Sequence, residues 1–143
     1  SSVEDPFGSG MVNVVKAIRP DVCILHVQRA EKNGNAQILG PKFDDVLMSR
    51  ASEKVIVTTE TIVPDGYFSR GKEKADIPHF MVTAVVHVPK GASPCSCDGF
   101  YDINRPCLNE FKTLKKEEEL AAFLQAYGRD NLGRKGAGSG WEW

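Results

Sequence analysis

The 143 residues carry almost no net charge, since 18 basic side chains stand against 19 acidic ones and leave −1. Without a basic excess there is no bulk pull toward nucleic acid or anionic lipid, and no interleaving of basic and aromatic residues adds one. Long apolar runs are absent as well. None approaches the roughly twenty residues that cross a bilayer, and residues 1–10 are too polar for a secretory signal. Cysteine is scarce: Cys23, Cys95, Cys97 and Cys107 do not make a disulfide framework. Cys23 sits inside an apolar run, and Cys95 and Cys97 are too close for an easy mutual bridge. Free thiols in a reducing, cytoplasmic setting are expected.

Several catalytic patterns are missing too. Structural zinc sites pair ligands about two to four residues apart, twice over. Here Cys95-x-Cys97 has only Cys107, His79, His87 and Cys23 as scattered companions, so no metal is expected. The C-x-x-C of thiol redox proteins does not occur, and Lys90 is the one local feature that would lower a thiol pKa. Ser93 lies in "GASPC", which is not G-x-S-x-G, and His26 and His87 read as packed strand residues in "ILHV" and "VVHV". The glycine clusters at 8–10 and 136–140 lack the strand before and helix after that a phosphate loop needs, so they read as linkers.

What is present is the material of one α/β domain. Three nearly continuous apolar runs, "VCILHV" (22–27), "VIVTT" (55–59) and "VTAVVHV" (82–88), are rich in β-branched residues. Such runs suit strands buried on both faces of a parallel sheet covered by helices. A further strand at 36–39 would follow the "KNGN" turn. Between the first two runs, Asp44 or Asp45 can cap a helix whose face is Phe43, Leu47, Met48 and Ala51. Residues 64–78 read as a surface loop with room for a short helix. In "KKEEELAAFLQAYG", Leu120, Phe123, Leu124 and Tyr127 recur at helical spacing, the acidic run suits the helix start, and Gly128 is placed to stop it. Residues 1–128 then form the domain and 129–143 a flexible tail. The loop "PKGASPCSC" leaves the last apolar run, and so should leave the carboxyl edge of the sheet, where open α/β sheets bind ligands.

Four blocks carry a resemblance: "EDPF" (4–7), "IRPDVCILHVQRAEKNGNAQILGPKFDD" (18–45), "KVIVTTETIVP" (54–64) and "IPHFMVTAVVHVPKGASPCSCDGFYD" (77–102). In this order they resemble the later half of the alpha chain of family I coenzyme A transferases, nearest the glutaconate type. The resemblance implies an open, mostly parallel sheet flanked by helices, a partial domain of that fold. It implies coenzyme A and acyl-CoA as substrates, no permanently bound cofactor, and a beta (B) subunit or a homo-oligomer as partner. In that family the nucleophile that opens the acyl-CoA thioester is a glutamate of the beta subunit, and no match to its motif is found here. The glycine-rich opening of the alpha type is missing too, so no catalytic residue is assigned, and a truncated or split subunit that is inactive alone is expected. The loop carries Ser93 where the family often has histidine, and Gly8-Ser9-Gly10 follows "EDPF". The residues expected to line a substrate cleft or a subunit contact are Gln28, Arg29, Lys90, Gly91, Ala92 and Ser93. The alternatives are a stand-alone structural or interaction domain and a CoA-ester hydrolase of the same superfamily.

Overall fold

The computed structural model describes residues 1–131. Its centre is a four-stranded sheet of order β4-β3-β5-β6, in which β3 is Val22–Glu31, β4 Ala36–Gln37, β5 Lys54–Val63 and β6 Ala84–His87. The β3–β5 and β5–β6 pairings are parallel and the short β3–β4 pairing is antiparallel. Each of the three apolar runs therefore supplies a strand, but the first two extend well beyond the expected ends, to Glu31 and Val63. Upstream, Ser2–Glu4 (β1) pairs with Met11–Asn13 (β2) in a small hairpin, so the glycines at 8–10 lie in its connection rather than in a linker.

The strands are not buried on both faces. Cys23, Leu25, Val27, Val55 and Val57 point into one core, joined by Ala36, Ile38 and Ile77. The alternate residues lie on the other face, where Val22 is 48% exposed, Ile24 68% and Val86 39%. β-Branched side chains suit strand geometry on both faces, and the hydrophobic pattern alone does not register that the second face is bare at Val22 and Ile24 and covered only toward Gln28 and Glu60.

Helix α1, Asp45–Ala51, connects β3 to β5. It turns Ser49 and part of Val46 to the core and leaves the expected face outside, with Phe43 84% exposed and Leu47 and Met48 also exposed. The small Ser49 allows the short helix to lie close against the sheet, and its hydroxyl donates to the Val46 carbonyl (2.8 Å). Asp44 takes the N-cap position without making a side-chain cap bond. Residues 64–78, expected at the surface, contain a four-residue helix α2, Tyr67–Arg70, and bury Phe68 and Ile77.

After β6, a long loop leads to two helices, α3 (Arg105–Thr113) and α4 (Glu117–Asn131). Helix α3 is an addition to the elements expected from the sequence. Asn104 caps it by accepting from the Cys107 N–H (3.1 Å), and Pro106 lies in its first turn, where a missing N–H costs nothing. The α4 helix continues past Gly128, so that glycine does not end it. Phe123 meets Phe111 across the pair and stacks on Tyr127. Of the expected 129–143 tail, residues 129–131 belong to α4, and residues 132–143 lie outside the described residues. Among the described residues, no helix is long and apolar enough to cross a membrane.

Candidate functional site

The carboxyl edge of the sheet is closed by residues 88–102, and the loop is tied there to one side chain. Glu60, near the end of β5, is buried to 8% exposure. Its Oε1 accepts from the Tyr101 hydroxyl (2.6 Å) and lies 2.8 Å from His26 Nε2, while Oε2 accepts from the Lys90 backbone N–H (2.8 Å). Burial pushes the Glu60 carboxyl upward, but the bonds from Tyr101, Lys90 and His26 outweigh it and leave its pKa below the ordinary value. Tyr101 is driven the other way. Burial, and then its bond to the Glu60 carboxylate, raise its hydroxyl pKa strongly.

Both nitrogens of His26 are engaged, since Nδ1 lies 2.9 Å from Thr58 Oγ1, whose hydroxyl also bonds the Leu25 carbonyl (3.2 Å). His26 and Thr58 are register partners in β3 and β5, so parallel pairing sets them side by side. His87 of β6 bonds the backbone carbonyl of Glu60 (3.0 Å). The strand ends thus converge on one polar cluster.

The loop begins with a tight turn. The Gly91 N–H donates to the Val88 carbonyl (3.0 Å), Pro89 occupies the second position, and Lys90 takes the third with φ of 60°. Pro there and a positive φ next are the pattern of a type II turn. Gly91 then lies flat on the histidine ring. A Cβ built on it would sit 2.6 Å from His26 Cε1 and 2.7 Å from Nδ1, closer than any side chain fits. Ala92 donates its N–H to the Tyr101 oxygen (3.0 Å), and Ser93 donates to the Lys90 carbonyl (3.0 Å). Each N–H from Lys90 to Ser93 is therefore consumed within the protein, and the loop is a wall, not an anion cradle.

The expected site residues divide accordingly. Lys90, Gly91, Ala92 and Ser93 come together at this edge, with Lys90 exposed. Gln28 is near them but occupied. Its Oε1 accepts from the Leu39 N–H (3.0 Å), and its Nε2 reaches the carbonyls of Leu39 (3.3 Å) and Asp98 (3.4 Å). Arg29, the next residue, faces away and pairs with Glu73 (2.6 Å) and the Tyr67 hydroxyl (3.3 Å). Sequence reasoning misses Glu60 and Tyr101, and it reads His26 as packing alone. The one legible signal is an acidic residue closing the apolar run "VIVTTE"; nothing local ties Tyr101 to it, 41 residues away.

His26, Glu60 and Cys97 each offer a ligand-type atom, and these atoms lie within 4.8 Å of one another. Nitrogen, oxygen and sulfur together would suit a borderline ion such as zinc. The cluster is nevertheless satisfied by its own hydrogen bonds. Burial, and then the charge of Glu60, raise the Cys97 pKa, the opposite of what a thiolate nucleophile requires. All four cysteines are free, with Cys23 and Cys97 buried, Cys107 half-buried and Cys95 exposed.

The coenzyme A transferase family model matches residues 5–88, more than half of the chain. The chain belongs to the coenzyme A transferase family. The A-type subunit of glutaconate CoA-transferase from Acidaminococcus fermentans is 39% identical over 127 residues, which cover 87% of this chain and 40% of that protein. An uncharacterised protein of Archaeoglobus fulgidus is 39% identical over 119 residues, 83% of this chain and 27% of its own length. The A-type subunit of 3-oxoadipate CoA-transferase from Pseudomonas knackmussii is 28% identical over 123 residues, 85% of this chain and 43% of that one. The crystal structure of the Acidaminococcus transferase superposes with a TM-score of 0.75 at 35% identity, covering 89% of this chain and 41% of its own. A variant of the decarboxylase AibA/AibB superposes with a TM-score of 0.74 at 32% identity, covering 88% and 45%. The chain thus spans less than half the length of the relatives it matches.

Proposed function

We propose that this chain is the later portion of the alpha subunit of a coenzyme A transferase, and that its 88–102 loop forms one wall of an acyl-CoA cleft. In this reading coenzyme A passes between an acyl-CoA and a carboxylic acid, and the reactive carboxylate belongs to a beta-type subunit. The observation that carries it is the condition of Glu60. It is a buried carboxylate beside the 88–102 loop, and three donors already occupy it. Attack on a thioester would break those bonds and remove the charge they stabilise, so Glu60 suits a structural duty and leaves the covalent step to another chain. The names of the two transferase relatives, both A-type subunits, support the same division of labour.

Calorimetric titration with coenzyme A, acetyl-CoA and glutaryl-CoA tests this. It is run on the chain alone, and on the chain mixed with two parts of the Acidaminococcus enzyme: its beta subunit, plus the unmatched portion of its alpha subunit. Binding, with exchange of coenzyme A into added acetate, is expected in the mixture and not in the chain alone. Absence of binding in both samples points to a stand-alone structural or interaction domain. Thiol release without an acceptor acid points to a CoA-ester hydrolase. Because a decarboxylase shares the fold, carbon dioxide release is followed in the same samples.

A further inference from the structure

We propose that Glu60 is the positioning residue of this edge: its side chain sets the course of the 88–101 loop across the sheet. Two distant points of the loop converge on the one carboxylate. Near the start, Lys90 donates its N–H to Oε2 (2.8 Å). Near the end, the Tyr101 hydroxyl donates to Oε1 (2.6 Å) while accepting from the Ala92 N–H (3.0 Å), which ties the loop back on itself. A third element fixes the height of the loop. The His26 ring is wedged between Glu60, 2.8 Å from its Nε2, and the backbone of Gly91.

Lys90 adds an independent observation. It is the one non-glycine residue with positive φ among the described residues. A lysine rarely adopts that conformation; here it is the third position of the Val88–Gly91 turn, and Glu60 holds the turn by accepting the N–H of that same residue. The remaining turn bonds, Gly91 to Val88, Ser93 to Lys90 and Cys95 to Ala92, are internal to the loop and would travel with it. A weaker tie between sheet and loop body is the Gln28–Asp98 bond, long at 3.4 Å. The ionisable groups around Glu60 are His26 from β3, His87 from β6 on its backbone carbonyl, and Cys97 and Tyr101 from the loop; Asp98 acts on Cys97.

The proposal deepens the acyl-CoA reading and rests on it only for what the loop meets; its test reads the loop directly. Amide hydrogen exchange is measured residue by residue on the whole chain. In Glu60→Gln the Lys90 and Ala92 amides should exchange on the order of thirty-fold faster, the effect of losing charge-assisted bonds, while the β5 amides stay protected. In Tyr101→Phe the Ala92 amide alone should be released. In a Lys90→Gly background, where a positive φ is unstrained, the effect of Glu60→Gln at residue 90 should shrink. Unchanged protection in Glu60→Gln overturns the proposal, and so does equal release of Lys90 and Ala92 in Tyr101→Phe. Should Glu60→Gln fail to fold, the Tyr101→Phe pattern decides alone, with release confined to Ala92 supporting the proposal and protection of Ala92 unchanged overturning it. If the loop is released but acyl-CoA affinity of the assembled enzyme is unaltered, the role of Glu60 stands and the cleft-wall reading falls.

Discussion

Glu31 is only 1% exposed, and its partners are neutral donors: the Asn35 side-chain amide (2.7 Å) and the Phe68 backbone N–H (3.0 Å). It joins the end of β3 to the Asn33–Gly34 turn and to α2 through one carboxylate. Burial alone would raise its pKa, yet the bonds from Asn35 and Phe68 hold it below the ordinary 4.5. Glu31→Ala should cost about 3 kcal/mol in urea unfolding, because it strands two buried donors. Glu31 and Glu60 both have depressed folded pKa values. Their contribution is complete above the unfolded value near 4.5 and is lost as pH falls through the lower folded values. Stability should therefore decline below about pH 4.5, and Glu31→Gln should flatten that decline when melts at neutral and acid pH are compared. At this scale the sequence is only partly readable. The tight turn at residues 88–91 is legible from Pro89 and Gly91, since Pro and Gly act on their immediate neighbours. Glu60, His26 and Tyr101 are not, because their roles arise from strand register and a loop return that bring distant positions together.

At the scale of elements, the sheet is legible and its coverage is not. β-Branched runs announce strands whichever face is wet. Burial instead depends on what packs above, and α1 meets the core through Val46 and Ser49 where the pattern favours Leu47 and Met48. Helix α3 does carry a start signal, Asn104-Arg105-Pro106, but its polar composition hides it. The asymmetry of the sheet is measurable. Val57→Ala, on the covered face, should lose about 2–3 kcal/mol by transfer and cavity terms. Ile24→Lys, on the open face two residues from His26, should change stability by less than about 0.5 kcal/mol in urea melts run dilute enough for the chain to be monomeric. Equal losses from the two variants would show that the open face is packed even in the monomer.

For the whole molecule, that face is a liability at −1 net charge, with little electrostatic repulsion to keep copies apart. Val22, Ile24 and Val86 line it, and among the described residues β6 ends the sheet order with an open edge. Light scattering during size exclusion should give a mass above the 15.7 kDa of one chain, rising with concentration. Ile24→Lys should return it toward the monomer. A single species of one-chain mass at all concentrations would mean that the face is tolerated bare. The family and the parallel sheet can be anticipated from ordered blocks spread over the chain, whereas its state of assembly cannot, since no local pattern records what covers a surface. The four thiols, set at graded depths, turn the molecule into its own stopwatch. Under native alkylation Cys95 should be tagged at once and Cys107 next. Cys97 should wait for the loop to swing away, and Cys23 for the sheet to come apart. The order of mass increments would thus time local opening against global unfolding in one unmodified sample.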